Sequence, residues 1–154
     1  VICSPLSAAR RTLHSGWATL RQWEERMRDD ILASAEVICS TLIGAGSESL
    51  CGRTFSLVVI DEATQATEPT SLVPLLFGAQ QLVLVGDSQQ LPPTVTDIAA
   101  SREGLGTSLF ERLQESGVQP LLLDTQYRMH PSLAEFSSRR FYGGLLRSAV
   151  RPEE

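Results

Sequence analysis

The sequence contains no lysine, and all of its 13 basic residues are arginines. A phosphate-binding loop of the type G-x-x-x-x-G-K-[ST] requires a lysine, so no such loop lies within these 154 residues. The net charge is −5. Because nucleic-acid phosphates are bound by clustered basic residues, we do not expect this stretch to bind nucleic acid strongly by itself.

Cysteines and long apolar runs are also scarce. Cys3, Cys39 and Cys51 form no C-x-x-C pair, so neither a zinc site nor a disulfide framework is indicated. No run of about 18 apolar residues is present, and the N-terminus shows no signal-peptide pattern. We therefore expect a globular domain in a reducing compartment, the cytoplasm or the nucleus, without membrane association. Because the first residue is Val1 rather than methionine, we expect the chain to belong to a longer protein.

The apolar stretch from Leu57 to Ile60 ends abruptly in two acids. Such a run, mostly β-branched and bounded by charge, predicts a buried strand of a parallel sheet, and ligands bind beyond the carboxyl ends of these strands. Asp61 can hold Mg²⁺ through its waters, and Glu62 can orient or deprotonate an attacking water. Gln65 would follow as an uncharged sensor of the γ-phosphate. The alternative is that the acids only begin a helix.

A second apolar strand is predicted from Gln81 to Val85, and a polar loop follows it too. Asp87 places a second acid near the first, and Gln90 can hydrogen-bond a phosphate without adding charge. Pro92 and Pro93 stiffen the end of the loop. A rigid polar loop suits coupling between a phosphate site and a neighbouring surface, although a plain turn has a similar composition.

The N-terminal third is less informative. Residues 1–16 show no clear periodicity and are predicted to be a linker or part of a neighbouring insertion. Trp17 to Ala35 has the three- and four-residue spacing of an amphipathic helix. Its two tryptophans are more typical of packing than of base stacking. A short strand is predicted from Glu36 to Thr41. The Thr41 hydroxyl can reach a ligand phosphate or a nucleic-acid backbone, or it can simply lie on the surface.

Further elements follow towards the C-terminus. We predict an interrupted helix from Ala66 to Phe77, a helix from Ser108 to Ser116 stopped by Gly117, a strand from Leu121 to Leu123, a helix from Pro131 to about Phe141, and an exposed linker from Arg147 to Glu154. A strand, a loop and a helix repeated about four times predict an α/β fold.

The loop before Pro131 carries three residues of interest. Tyr127 offers a flat face for a base and Arg128 a planar fork for a phosphate. The alternatives are a packed tyrosine and a surface-paired arginine. His130 has no partner at a metal-binding spacing, so we expect it to make a structural hydrogen bond.

Taken together, the motifs resemble those of superfamily 1 helicases, and most of all the Upf-like branch with the nonsense-mediated-decay helicase and senataxin relatives. The resemblance runs from about Ala35 to Leu146. The motifs are Val37-Ile38-Cys39-Ser40-Thr41, Val59-Ile60-Asp61-Glu62-Ala63-Thr64-Gln65-Ala66, Leu84-Val85-Gly86-Asp87 with Gln90-Leu91-Pro92-Pro93, Ser108-Leu109-Phe110-Glu111-Arg112-Leu113, and Gln126-Tyr127-Arg128-Met129-His130-Pro131.

The resemblance implies an ATP-driven motor on single-stranded RNA or DNA, with ATP and Mg²⁺ held between two RecA-like domains, and partner proteins in RNA processing. It implies an α/β fold that is part of a RecA-like P-loop NTPase domain, without the phosphate loop and the second RecA-like domain. Residues 1–34 would be a linker and an amphipathic helix, 35–124 the later part of the first RecA-like domain, and 125–154 a segment leading into the second.

The resemblance also implies residue roles. Asp61 resembles the Mg²⁺-linked Walker B aspartate, Glu62 the general base, and Arg128 the charge that stabilises the γ-phosphate in the transition state. The implied sensors of the γ-phosphate are Gln65 and Gln90. The resemblance further implies that Asp87 and Tyr127 contact the nucleotide, with Tyr127 stacking on adenine. It also implies that Thr41, Pro92 and Pro93 lie near the nucleic-acid path.

The missing phosphate loop leaves a rival interpretation, a non-catalytic helicase paralogue that serves as a scaffold or a nucleic-acid-binding module. A scaffold has no need for a metal ligand, a base and sensors together, which argues against it. An unrelated Walker-type phosphohydrolase does not account for Gln-Tyr-Arg-Met-His-Pro. Because the loop cradles the β- and γ-phosphates, we expect residues 1–154 alone to have neither ATPase nor unwinding activity.

Overall fold

The computed structural model describes residues 5–151. The chain divides into two compact units, Val1–Arg53 and Thr54–Glu154. Among the described residues, no helix is long and apolar enough to cross a membrane.

The first unit is dominated by helix α1, Pro5–Ser34. The helix predicted from Trp17 is confirmed, but the linker predicted before it is wrong from residue 5 onward. Proline is tolerated in the first turn of a helix, and one internal glycine costs only about 1 kcal/mol, so neither stops α1. Trp17 and Trp23 are 61% and 62% exposed, so the packing predicted for the tryptophans is not seen.

The segment after α1 is not a strand. Residues 36–41 pair with no neighbour, because residues 5–53 contain no second strand whose N–H and C=O groups could complete a ladder. The chain instead enters a short helix α2, Leu42–Ala45, and then a 3₁₀ turn, Glu48–Leu50. Leu50 is buried there.

The second unit begins with a parallel sheet of two strands, β1 (Leu57–Ile60) and β2 (Gln81–Leu84). Both were predicted from their apolar runs. The connection consists of a 3₁₀ turn at Ala63–Gln65, helix α3 at Glu68–Leu72, and a second 3₁₀ turn at Val73–Phe77, which confirms the interrupted helix.

The burial predicted for β1 is only partly correct. Ile60 is 2% exposed, but Val59 is 58% exposed and Leu57 is exposed as well. Side chains alternate between the two faces of a strand, and one face of this sheet has no layer packed on it within the described residues.

Helices α4 (Ile98–Ala100) and α5 (Leu109–Glu115) follow, separated by a π-helical turn at Ser101–Leu105. The predicted start and end of α5 are confirmed. Ser108 and Glu111 form a capping box, and Gly117 adopts a φ of 101° just beyond the helix.

The C-terminal part contains helix α6, Pro131–Phe141, as predicted. His130 caps it, since its Nδ1 accepts a hydrogen bond from the Ser132 amide at 3.2 Å. The structural hydrogen bond expected of His130 is therefore confirmed.

A second parallel pair joins β3 (Thr125–Gln126) to β4 (Arg147–Ser148). The strand predicted at Leu121 to Leu123 is wrong, because these residues find no pairing partner and Leu121 is 90% exposed. The linker predicted from Arg147 is wrong for the two residues of β4, which pair with β3. Residues 152–154 of that prediction lie outside the described residues.

The fold is thus a mixture of helices and small parallel sheets, consistent with part of an α/β P-loop helicase domain. Two of the four predicted strands form, at β1 and β2. The buried residues of the second unit include Ile60, Ala63, Thr64, Ser71, Ser108, Leu109, Ala134 and Ser138.

Candidate active site

The turn after β1 carries the two acids on an unusual backbone. Glu62 has φ 53° and ψ 39°, and among residues 5–151 it is the one non-glycine residue with a positive φ. The left-handed conformation costs an L-residue about 1–2 kcal/mol. The Asp61 carboxylate accepts a hydrogen bond from the Glu62 amide at 3.0 Å, which stabilises this turn.

Glu62 and Gln65 lie side by side. Gln65 donates a hydrogen bond from Nε2 to Glu62 Oε2 over 3.0 Å, and both residues are exposed. Only the amide nitrogen can donate to a carboxylate, so the orientation of the Gln65 amide is fixed and its Oε1 points away from Glu62. The other carboxylate oxygen of Glu62 can accept a hydrogen bond from water. The predicted base and the predicted sensor are therefore brought together.

The loop after β2 packs directly on this turn. The parallel ladder continues past the strands, with the Val85 amide donating to Ile60 O and the Ala63 amide donating to Val85 O, each over 2.8 Å. A Cβ atom at Gly86 would lie 3.1 Å from the Thr64 amide nitrogen, so the close approach depends on glycine. The two polar loops predicted from the sequence thus meet at one edge of the sheet.

Asp87 lies at the centre of a hydrogen-bond cluster. Its Oδ2 accepts from Gln90 Nε2 at 2.8 Å and from the Tyr142 hydroxyl at 2.5 Å, and its Oδ1 accepts from the Gln89 amide at 3.0 Å. Partial burial raises the pKa of Asp87, but the three hydrogen bonds lower it more, so the pKa lies below its usual value. The hydrogen bond to Asp87, together with burial, raises the pKa of Tyr142 to about 12.

The side chain of Gln126 shapes the loop that holds Tyr127 and Arg128. Its Oε1 accepts from the amides of Arg128 at 2.8 Å and Met129 at 2.7 Å. Its Nε2 donates to Met129 O at 2.7 Å and to Ser148 Oγ at 2.6 Å. No role was predicted for Gln126, although it is the first residue of the last motif.

Tyr127 and Arg128 themselves are open to a ligand. Tyr127 is 77% exposed, and neither side chain makes a hydrogen bond or ion pair with another residue of the described chain. The packed tyrosine and the surface-paired arginine are therefore not seen. The structure does not bring either side chain into contact with Glu62, Asp87 or their partners.

The three residues predicted near nucleic acid have different environments. Thr41, in the first unit, is exposed and caps α2, with its hydroxyl accepting from the Gly44 amide at 3.0 Å. In the second unit Pro92 is exposed and Pro93 is buried. A ligand on the surface can touch Thr41 and Pro92 directly, whereas Pro93 can act only through the shape of its loop.

Asp61 suits Mg²⁺ by its donor chemistry. No cluster of three or more His, Cys, Asp or Glu side chains that could hold a metal occurs within residues 5–151. Mg²⁺ usually keeps several waters and is held by one or two carboxylates together with the phosphates of a nucleotide. The exposed carboxylate of Asp61 fits that pattern, and Asp61 lies at the strand end where those phosphates would be.

Comparison with known proteins identifies the family of the chain. The AAA domain family matches residues 5–97, and a second AAA domain family matches residues 105–154. The Regulator of nonsense transcripts 1 homolog of Arabidopsis thaliana is 51% identical over 121 residues, which are 79% of this chain and 10% of that protein. The ATP-dependent helicase NAM7 of Saccharomyces cerevisiae is 48% identical over 125 residues, 81% of this chain and 13% of that protein.

A further relative is the helicase SEN1 of Saccharomyces cerevisiae, 48% identical over 119 residues, 76% of this chain and 5% of that protein. Polar strand ends joined at one sheet edge are typical of nucleotide-binding α/β proteins. The chain belongs to the AAA domain family, in the Upf-like branch of the superfamily 1 helicases. It spans about a tenth of the length of the curated relatives it matches.

Proposed function

We propose that the protein containing this chain is an ATP-dependent helicase or translocase on single-stranded RNA or DNA, acting in RNA processing or surveillance in the cytoplasm or the nucleus. The names of its relatives, a regulator of nonsense transcripts and an ATP-dependent helicase, support this proposal. The chain would be part of a RecA-like domain, whose phosphate loop and partner domain come from other parts of the polypeptide.

One observation carries the proposal: the Glu62–Gln65 pair lies at the end of β1, in the same turn that the loop of Asp87 and Gln90 packs against. Phosphoryl transfer to water needs a metal ligand, a base for the water and neutral groups that sense the γ-phosphate. A protein that only binds its partners, without hydrolysing ATP, has no need for a metal ligand, a base and neutral sensors together.

The residues would divide the work as follows. Bound Mg²⁺ neutralises charge on the β- and γ-phosphates. Asp61 holds the waters of the ion, and Glu62 accepts the proton of the attacking water at its carboxylate. Gln65 keeps Glu62 in place by its hydrogen bond and detects the γ-phosphate, as does Gln90.

The loop of Tyr127 and Arg128 would complete the nucleotide site. Tyr127 presents an exposed ring for stacking on adenine. Arg128 has a guanidinium with no partner in the described chain, so its charge is available to the γ-phosphate as negative charge develops in the transition state. Gln126 holds this loop through the backbone amides of Arg128 and Met129.

Thr41 in the first unit and Pro92 in the second would each contact nucleic acid, and Pro93 would stiffen the loop that follows Gln90. The net charge of −5 supplies no general attraction to phosphates, so most of the affinity must come from other parts of the polypeptide.

The test is ATP hydrolysis by the natural polypeptide with and without single-stranded RNA or DNA, beside the variant Glu62→Gln. We expect stimulated hydrolysis to fall by at least a hundredfold in the variant while ATP binding persists. The matched control is Glu115→Gln, at the exposed end of α5, which should leave hydrolysis unchanged. If the wild-type protein binds nucleic acid and hydrolyses no ATP, the non-catalytic scaffold is the correct interpretation.

A further inference from the structure

Tyr142 belongs to none of the sequence motifs, yet it reaches the candidate site. It lies at the end of α6, and its hydroxyl donates a hydrogen bond to Asp87 Oδ2, 55 positions earlier in the chain, over 2.5 Å. Its ring is half-buried and meets the edge of Phe141 at a centroid distance of 6.4 Å. The hydrogen bond to Asp87 is one that a phenylalanine could not make.

The oxygen that Tyr142 contacts is the one that holds Gln90. Asp87 Oδ2 accepts from both Tyr142 and Gln90, and Asp87 Oδ1 accepts from the Gln89 amide. An aspartate can rotate about its side-chain bonds, and donors on both oxygens remove that freedom. Tyr142 supplies the one donor of the three that comes from outside the loop of residues 86–90. It therefore anchors the loop to a separate element of the fold.

That separate element connects Asp87 to the other half of the site. Helix α6 starts at Pro131, directly after the loop of Tyr127 and Arg128, and ends beside Tyr142. Eleven helical residues rise about 16 Å as one rigid rod, at ~1.5 Å per residue. A displacement of the Tyr127–Arg128 loop can thus move Tyr142, and through it the Asp87 carboxylate and the Gln90 amide.

We propose that Tyr142 is a positioning residue that fixes Asp87 and Gln90 and links them, through α6, to the loop of Tyr127 and Arg128. This inference rests on the proposed function in one respect, since Gln90 is taken to sense the γ-phosphate. The hydroxyl of Tyr142 touches no reacting atom. Its effect on the reaction passes entirely through Asp87 and Gln90.

The first test is a double-mutant cycle on ATP hydrolysis by the natural polypeptide, with Tyr142→Phe, Gln90→Ala and both together. We expect Tyr142→Phe to lower kcat about tenfold, which is ~1.4 kcal/mol, with the KM for ATP changed less than twofold. In the Gln90→Ala background the same change should lower kcat clearly less than tenfold, because part of the effect of Tyr142 passes through Gln90. Two independent losses that multiply in the double variant would overturn the inference.

The second test does not depend on catalysis. Tyr142→Phe should speed amide hydrogen exchange in residues 86–90 about tenfold, while exchange in β1 and β2 stays unchanged. The control is Ser116→Ala, which removes a hydroxyl bonded to Arg112 O within its own helix. Unchanged exchange in residues 86–90 would overturn the inference even if the protein is an active ATPase. Faster exchange in a protein without ATPase activity would retain the anchoring by Tyr142 and reject the proposed function.

Discussion

Gly86 is the position where the two loops of the candidate site come closest, and replacing it by alanine tests whether that approach holds the site together. A Cβ there would lie 3.1 Å from both the amide nitrogen and the Cγ2 of Thr64 and 3.3 Å from the Ala63 amide nitrogen. Two of these three atoms are backbone, so the ladder between the loops must shift by a few tenths of an ångström to admit the Cβ. The hydrogen bond from the Ala63 amide to Val85 O, 2.8 Å long, would be weakened first.

Overpacking of this kind costs about 1–3 kcal/mol. Local opening should therefore become roughly ten- to a hundredfold more frequent, since ~1.4 kcal/mol is a factor of ten. Hydrogen exchange of the Ala63 and Val85 amides measures this opening directly. We expect both amides to exchange faster by that factor in Gly86→Ala, and ATP hydrolysis to fall with them.

Gly106 provides a matched control in the same unit. Its φ of −78° suits any residue, and a Cβ there would meet only the Ser101 side chain, at 3.4 Å. Gly106→Ala should therefore leave exchange at Ala63 and Val85 unchanged. If Gly86→Ala also left hydrogen exchange at Ala63 and Val85 unchanged, the close approach of Gly86 to Thr64 would not be what joins the two loops.

Two further predictions concern the framework around the site. Ser108→Ala removes the two hydrogen bonds of the Ser108 hydroxyl, which accepts from the Glu111 amide at 3.1 Å and donates to the Glu111 carboxylate at 3.0 Å, but it keeps the capping-box bond from the Ser108 amide to Glu111 Oε2. The variant should lower the free energy of unfolding by about 0.5–2 kcal/mol in denaturant titrations. Ser116→Ala, at the other end of α5, should cost less. Because the pKa of Asp87 is lower in the folded protein than in the unfolded chain, the ionised carboxylate stabilises the fold above about pH 4, and this stabilisation is lost as the pH falls through the lowered pKa. The denaturant midpoint of unfolding should therefore decline less steeply with falling pH in Asp87→Asn than in the wild-type protein. Equal declines in the two proteins would contradict the lowered pKa of Asp87.

Elements with local signals were predictable from the sequence. Helix α5 follows from Ser108 and Glu111 at capping-box spacing, and α6 from Pro131 at its first position. Strand β1 follows from an apolar run that stops at charge. Each of these signals lies within a few residues of the element that it specifies, so no knowledge of the rest of the chain is needed.

Features that depend on distant residues were not predictable. The runs at residues 36–41 and 121–123 have strand composition, but a strand also needs a neighbour, and the described chain supplies none for either. Strand β4 forms from residues of linker composition because β3 offers it a partner. The bond between Tyr142 and Asp87 joins residues 55 positions apart, and no periodicity or spacing connects them.

The sequence therefore placed the acids at a strand end without revealing what orients them. Glu62 occupies a left-handed backbone conformation that costs about 1–2 kcal/mol, and an isolated turn of this sequence would relax out of it. It persists because the ladder from Val85 to Ile60 and Ala63 fixes the residues on either side, and that ladder depends on the absence of a side chain at Gly86. The direction of the candidate base thus depends on a glycine 24 positions later, in the loop after the next strand. The two loops are therefore one site in which neither can change alone.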